Sequence, residues 1–172
     1  MAVMQIVVMG VAGSGKSTLA AVLAERLECE MAEADTFHSP ANVAKMAAGI
    51  PLNDGDRAPW LRALAAWITQ REHAGRSAVV TCSALKRAYR DVLREASPRL
   101  VFLHLTGPRE LIAERMRHRP GHYMPVSLLD SQFSTLEPLA PDERGVVLEV
   151  SRPPDALADD ALAALSQLGI PG

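Results

Sequence analysis

Ile6-Val7-Val8-Met9-Gly10-Val11-Ala12-Gly13-Ser14-Gly15-Lys16-Ser17-Thr18-Leu19 joins an apolar run, a glycine-rich turn and the start of an apolar-periodic segment. The run has the composition of a buried strand, and Lys16 to Leu27 sets Leu19, Val22, Leu23 and Leu27 at helical spacing. Between them, Gly10 to Ser17 spells G-x-x-x-x-G-K-S, a phosphate-cradling pattern in the strand-to-helix setting it requires. Gly10, Gly13 and Gly15 let the backbone turn tightly with its N–H groups inward, and the helix beginning near Lys16 adds its positive dipole end. The ligand favoured by this arrangement is a nucleoside triphosphate. Lys16 is expected to reach the outer phosphates and the Ser17 hydroxyl to ligate Mg2+. The nucleotide-binding set is therefore Gly10, Ala12, Gly13, Ser14, Gly15, Lys16, Ser17 and Thr18.

Outward from this loop, strands and helices alternate. Glu30 to Ala34 reads as a second strand that delivers Asp35 to its end. Asn42 to Ala48 reads as a short helix, Ile50 to Arg57 as a turn-rich segment, and Pro59 to His73 as a helix presenting Trp60, Leu64, Trp67 and Ile68 on one face. Ala78 to Cys82 is the third strand, Leu85 to Ala96 a helix and Leu100 to Leu105 the fourth strand. A helix from Pro108 to Arg117, a loop from His118 to Met124, a helix to Leu136, a strand from Val146 to Val150 and a helix from Pro154 to Leu168 complete the chain. Parallel neighbours need crossover connections, so this alternation predicts an α/β fold of the P-loop NTPase type, with a five-stranded, mainly parallel sheet and helices on both faces. The 172 residues suit a single domain spanning 1–172. The basic cluster Arg115-Met116-Arg117-His118-Arg119-Pro120-Gly121-His122 bends at Pro120 and Gly121 and reads as a mobile lid over about 118–125.

Composition narrows the partners. A formal net charge of −2 with interspersed signs leaves no basic stripe for nucleic acid or an anionic membrane surface. No apolar stretch approaches bilayer length, and the apolar N-terminus lacks a basic leader, so neither a membrane span nor a signal peptide is expected. Cys29 and Cys82 are isolated, which suits a reducing cytoplasm, and the scattered histidines suggest no structural metal.

A phosphate loop serves switches, motors and kinases alike, so the other polar residues must decide. Phosphoryl transfer to an alcohol needs a carboxylate near the acceptor hydroxyl and cations over the migrating group. Asp35 is the candidate carboxylate, at the end of a second strand expected to face the phosphate loop beside the first; a helix cap is its structural alternative. Arg115 and Arg119 are candidates to neutralise the nucleotide phosphates as the lid closes. The third strand ends in Thr81-Cys82-Ser83-Ala84-Leu85-Lys86 with no acidic Mg2+ partner, leaving the ion to Ser17, phosphates and water, with Asp35 as a partner through water. Arg57, Lys86 and Arg90 are the remaining cations available to an anionic acceptor.

Taken together, the chain resembles the gluconokinase family of P-loop kinases. The resemblance rests on the phosphate loop, on Asp35-Thr36-Phe37-His38-Ser39-Pro40-Ala41-Asn42, and on Gly49 to Leu61 with its Pro51-Leu52-Asn53-Asp54-Gly55-Asp56-Arg57-Ala58-Pro59-Trp60-Leu61 core. It continues through Cys82-Ser83-Ala84-Leu85-Lys86, Tyr89-Arg90-Asp91, Gly121-His122-Tyr123-Met124-Pro125 and Leu128-Leu129-Asp130-Ser131-Gln132-Phe133. The resemblance implies the fold of shikimate and nucleoside-monophosphate kinases, use of ATP with Mg2+, transfer to D-gluconate giving 6-phospho-D-gluconate, and a homodimer. It assigns the acceptor hydroxyl to Asp35, and His38, Arg57, Ser83, Lys86 and Arg90 to the sugar-acid pocket. Ala34 departs from the family pattern, which has glycine before the aspartate. A shikimate kinase on the same scaffold is the rival enzyme, and a nucleotide-binding switch the rival from another class, although no N-K-x-D guanine-reading motif is present.

Overall fold

Strand β1 (Gln5–Met9) is buried at every position because it is the central strand of the sheet and both of its faces are covered. The structure, a computed structural model, describes residues 3–118 and 127–168. Arg119 and nearly all of the expected lid lie outside the described residues. The other strands are β2 (Glu30–Glu33), β3 (Ala78–Thr81), β4 (Leu100–Thr106) and β5 (Gly145–Glu149), in the order β2-β3-β1-β4-β5. All four pairings are parallel, with Val7 of β1 opposite Val80 of β3 and Phe102 of β4.

Side chains alternate across the sheet and feed two cores. On one face Ile6, Val8, Val101 and Leu103 pack with Leu19 and Leu23 of α1 (Lys16–Leu27), Ile112 of α5 (Arg109–Arg117) and Leu157 and Leu165 of α7 (Pro154–Gln167). On the other face Val7, Met9, Val80 and Phe102 meet Trp60, Leu64 and Ile68 of α3 (Asp54–His73) and Leu93 of α4 (Arg87–Arg94). The expected core stripe of α3 is thus buried, except that Trp67 is only partly covered and carries Arg71 over its ring at 4.4 Å. Helices α2 (Pro40–Ala47) and α6 (Ser127–Thr135) complete the chain.

Three expectations are corrected. β2 does not lie beside β1, because β3 is inserted between them; Asp35 therefore reaches the site from one strand further out. β2 ends at Glu33, and Ala34–Phe37 forms a 3-10 turn, so Asp35 sits on that turn instead of following a strand directly. Helix α3 begins at Asp54, five residues before Pro59. A capping box starts it: the Asn53 side chain accepts from the Asp56 N–H at 2.8 Å, and the Asp56 carboxylate accepts from the Asn53 N–H at 3.0 Å. Pro59 is tolerated because the carbonyl it cannot bond belongs to exposed Gly55. The earlier start places Asp54 and Arg57 in the first turn of α3.

Candidate active site

The phosphate loop joins β1 to α1. Gly10 has φ 149°, and a Cβ there would stand 2.6 Å from the Leu105 carbonyl oxygen and 2.8 Å from Ser14 Oγ. At Gly13, φ is 79° and a Cβ would lie 2.4 Å from Met116 Cγ. Both positions accept only glycine without displacing neighbours. Gly15 caps α1 with no side-chain hydrogen bond and no acidic residue in the following turn, so the N–H groups of that turn are presented to an anion. The Lys16 ammonium bridges the loop by donating to the carbonyls of Gly10 at 3.0 Å and Val11 at 3.1 Å. The residues present fit a triphosphate cradle, and Ser17, half-buried at the start of α1, is the side chain available to a phosphate-bound cation. An open cleft continues from Gly13, Ser14, Gly15 and Thr18 past Arg115 and His118.

A second pocket opens among Asp35, His38, Arg57, Ser83, Tyr89 and Gln132. The two halves of the site are tied together where the Gly10 N–H donates to the Ser83 carbonyl at 3.3 Å. Asp35 is exposed and lines this pocket. His38 stacks on Trp60 with ring centroids 4.1 Å apart. Asn42 Nδ2 donates to the Asp56 carbonyl at 3.0 Å and stands 3.3 Å from His38 Nδ1, an arrangement that leaves the imidazole proton on Nε2. Burial depresses the His38 pKa, with Arg57 acting in the same direction and Asp35 against it, so the ring is neutral near pH 7.

Arg57 donates to the Tyr89 hydroxyl at 3.1 Å, and that hydroxyl donates to Asp54 at 2.5 Å. Asp54 is held below the usual carboxylate range by Tyr89 and Lys86. Lys86 stands off the pocket lining, at 3.4 Å from Asp54, with its ammonium pKa raised by Tyr89 and Asp54. It is a rim cation already balanced by a carboxylate.

Arg90 is corrected. Its side chain is fully buried behind the pocket wall, donating to Glu143 through Nε at 2.8 Å and through a terminal nitrogen at 3.0 Å. It also donates to the carbonyls of Ala84 at 2.8 Å and Leu85 at 3.3 Å. It cannot meet a sugar acid without giving up its two hydrogen bonds to buried Glu143 and those to the wall carbonyls. Burial alone would raise the Glu143 pKa, but hydrogen bonds from Arg90, the Ala140 N–H and Arg94 outweigh it and hold the carboxyl down to about 2. Arg90 instead braces Ala84, a non-glycine residue at φ 46° in the pocket wall. Cys82, beneath that wall, is no nucleophile, since burial pushes its thiol up to about 12.

Asp54, Asn42, Tyr89 and Gln132 are site constituents that residue-type reasoning passed over. All four lie within sequence blocks shared with the family, and that co-occurrence was the available signal.

A phosphate loop with a polar acceptor pocket at its flank, on this sheet order, is the architecture of a P-loop kinase. Residues 6–139 match the family described as AAA domain. The chain is 45% identical over 157 residues to a gluconokinase of Gluconobacter oxydans, covering 91% of this chain and 88% of that protein. It matches a crystal structure of a gluconokinase from Sinorhizobium meliloti with TM-score 0.87 and 46% identity, over 96% of this chain and 93% of that one. Shikimate kinase of Aquifex aeolicus, at TM-score 0.59 and 16% identity over 98% of this chain and 100% of that one, shares the fold alone. The chain belongs to the gluconokinase family.

Proposed function

We propose that the chain transfers the γ-phosphoryl group of ATP to the 6-hydroxyl of D-gluconate, giving 6-phospho-D-gluconate and ADP. The observation that carries this reading is the junction of an intact phosphate loop with a pocket offering Arg57, His38, Ser83 and Asp35. Such an inventory suits a polyol bearing a carboxylate. The 45% identity with the Gluconobacter oxydans protein supports gluconate over shikimate as the acid.

In this reading Arg57, oriented by Tyr89, binds the substrate carboxylate, and the neutral His38 donates from Nε2 to a sugar hydroxyl. Asp35 accepts the proton of the attacking hydroxyl, whose oxygen forms the new P–O bond as the bond to the β–γ bridging oxygen breaks and its electron pair leaves with ADP. Lys16 balances charge on the outer phosphates, and Ser17 holds Mg2+. When bound, Mg2+ neutralises charge developing on the phosphate oxygens. Arg115, in the donor cleft, faces the nucleotide phosphates. A cytoplasmic homodimer is part of the same proposal, supported by the free thiols of Cys29 and Cys82 and by the family resemblance.

The test is product identification after incubation with ATP, Mg2+ and gluconate, with shikimate in parallel. A phosphomonoester at C6 of gluconate is expected. Phosphorylation of shikimate with none of gluconate would overturn the assignment.

A further inference from the structure

Helix α6 touches both halves of the site through one side chain. Gln132 Oε1 accepts the N–H of Ala12 at 2.6 Å, and the same residue lines the acceptor pocket with Ser131 and Thr135. Among the neighbouring loop donors, Ser14 is satisfied within the loop by the Val11 carbonyl and Gly10 across the sheet by the Ser83 carbonyl, each at 3.3 Å. Buried Ala12 takes its acceptor from a helix residue 120 positions away.

A carboxamide suits this position. It satisfies a buried donor that would be costly to leave unpaired, and it brings no negative charge beside a triphosphate. The helix that carries it is anchored: Leu129 is fully buried, and just past the helix the Glu137 N–H donates to the Leu85 carbonyl at 2.7 Å while the Glu137 carboxylate accepts from the Arg87 N–H at 2.9 Å. Gln132 therefore reaches the phosphate loop from a support that also forms the acceptor wall.

We propose that Gln132 is a positioning residue for phosphoryl transfer: it fixes Ala12 against the acceptor wall and so aligns the phosphoryl donor with the acceptor hydroxyl. The inference rests on the kinase reading above. Lys16 still holds the Gly10 carbonyl and Arg57 still holds Tyr89 without it, so its loss should lower kcat while leaving the KM values for ATP and gluconate little changed.

Two substitutions test this. Gln132→Met keeps the bulk and removes the acceptor; Gln132→Glu keeps an acceptor oxygen and adds charge. For Gln132→Met we expect kcat to fall on the order of a hundredfold, as for a misalignment of about 1 Å, with both KM values retained and the thermal midpoint lowered by only the few degrees that one unpaired buried donor costs. The backbone 15N–1H resonance of Ala12, measured without nucleotide, should move in Gln132→Met and stay near its wild-type position in Gln132→Glu, whose KM for ATP should rise. Unchanged kcat in Gln132→Met, an unmoved Ala12 resonance, or a joint loss of both KM values and thermal stability would overturn the proposal. Failure of the wild-type protein to phosphorylate gluconate would instead count against the kinase reading, and the positioning role would fall with it.

Discussion

The Trp60 indole N–H donates to the carbonyl oxygen of Ala34 at 2.6 Å, fastening α3 to the turn that carries Asp35. The same ring stacks on His38, so one buried side chain sets two pocket residues. Trp60→Phe keeps a ring against His38 and removes the donor. Leaving the Ala34 carbonyl unsatisfied should cost about 1–3 kcal/mol, read from urea unfolding. The turnover number should fall with it, because the Asp35 turn loses its brace. An unchanged unfolding free energy would show that water replaces the indole at no cost.

In the proposed mechanism Asp35 and Lys16 act on opposite sides of the transferred group, so their removal should be separable. Asp35→Asn keeps the shape and the hydrogen-bonding reach of the side chain but cannot take a proton. It should lower kcat by roughly a hundredfold or more, with nucleotide binding intact. Lys16→Ala should nearly abolish turnover and weaken ATP binding measured by calorimetry, with circular dichroism unchanged. An Asp35→Asn enzyme of wild-type rate would reduce that carboxylate to a feature of the 3-10 turn.

What could be read from residues alone follows the range of the interactions involved. The phosphate loop is local, so its spacing announced both the geometry and the ligand class. Strand adjacency is not local, and nothing in Glu30 to Glu33 says that β3 will lie between it and β1. The start of α3 was hidden by Gly55 and Pro59, although Asn53 and Asp56 already held the capping signal. An arginine near a pocket suggests an anionic ligand, but the partner of Arg90, Glu143, lies 53 residues on. Gln132 is an uncharged amide whose partner is a backbone N–H, a contact that no residue pattern encodes.

Arg57 and Lys86 looked alike as sequence candidates and differ in place. Arg57 lines the acceptor pocket, whereas Lys86 is paired with Asp54 at the rim. Arg57→Ala should raise the KM for gluconate by about ten- to a hundredfold, the loss of a charge-assisted hydrogen bond of about 1.5–3 kcal/mol. Lys86→Ala should raise it by about fivefold at most, as expected for a solvent-screened ion pair worth up to about 1 kcal/mol. Steady-state kinetics with varied gluconate at saturating ATP separate the two. An equal effect would place Lys86 inside the substrate's reach.

Glu143 makes stability depend on pH in a defined window. Its pKa is depressed in the folded chain, from 4.5 to about 2, so the native state releases this proton more readily than the unfolded chain. The unfolded state then binds more protons between these values, and stability falls as pH falls. The contribution is complete above about 4.5 and is lost progressively toward 2. Glu143→Gln cannot titrate, so the urea midpoint of that variant should fall less steeply across this window than that of the wild-type protein. At neutral pH the same variant should be less stable, because Arg90 would keep its burial and lose its counter-charge. Arg90→Met tests the pair from the other side: the buried carboxylate keeps Arg94 and the Ala140 N–H but loses its buried counter-charge, so the cost near pH 7 should lie below the about 3–5 kcal/mol of a carboxylate left with no partner. That deficit should narrow as acid protonates Glu143, and a deficit constant from pH 7 to pH 4 would mean that the ion pair does not control the pH dependence.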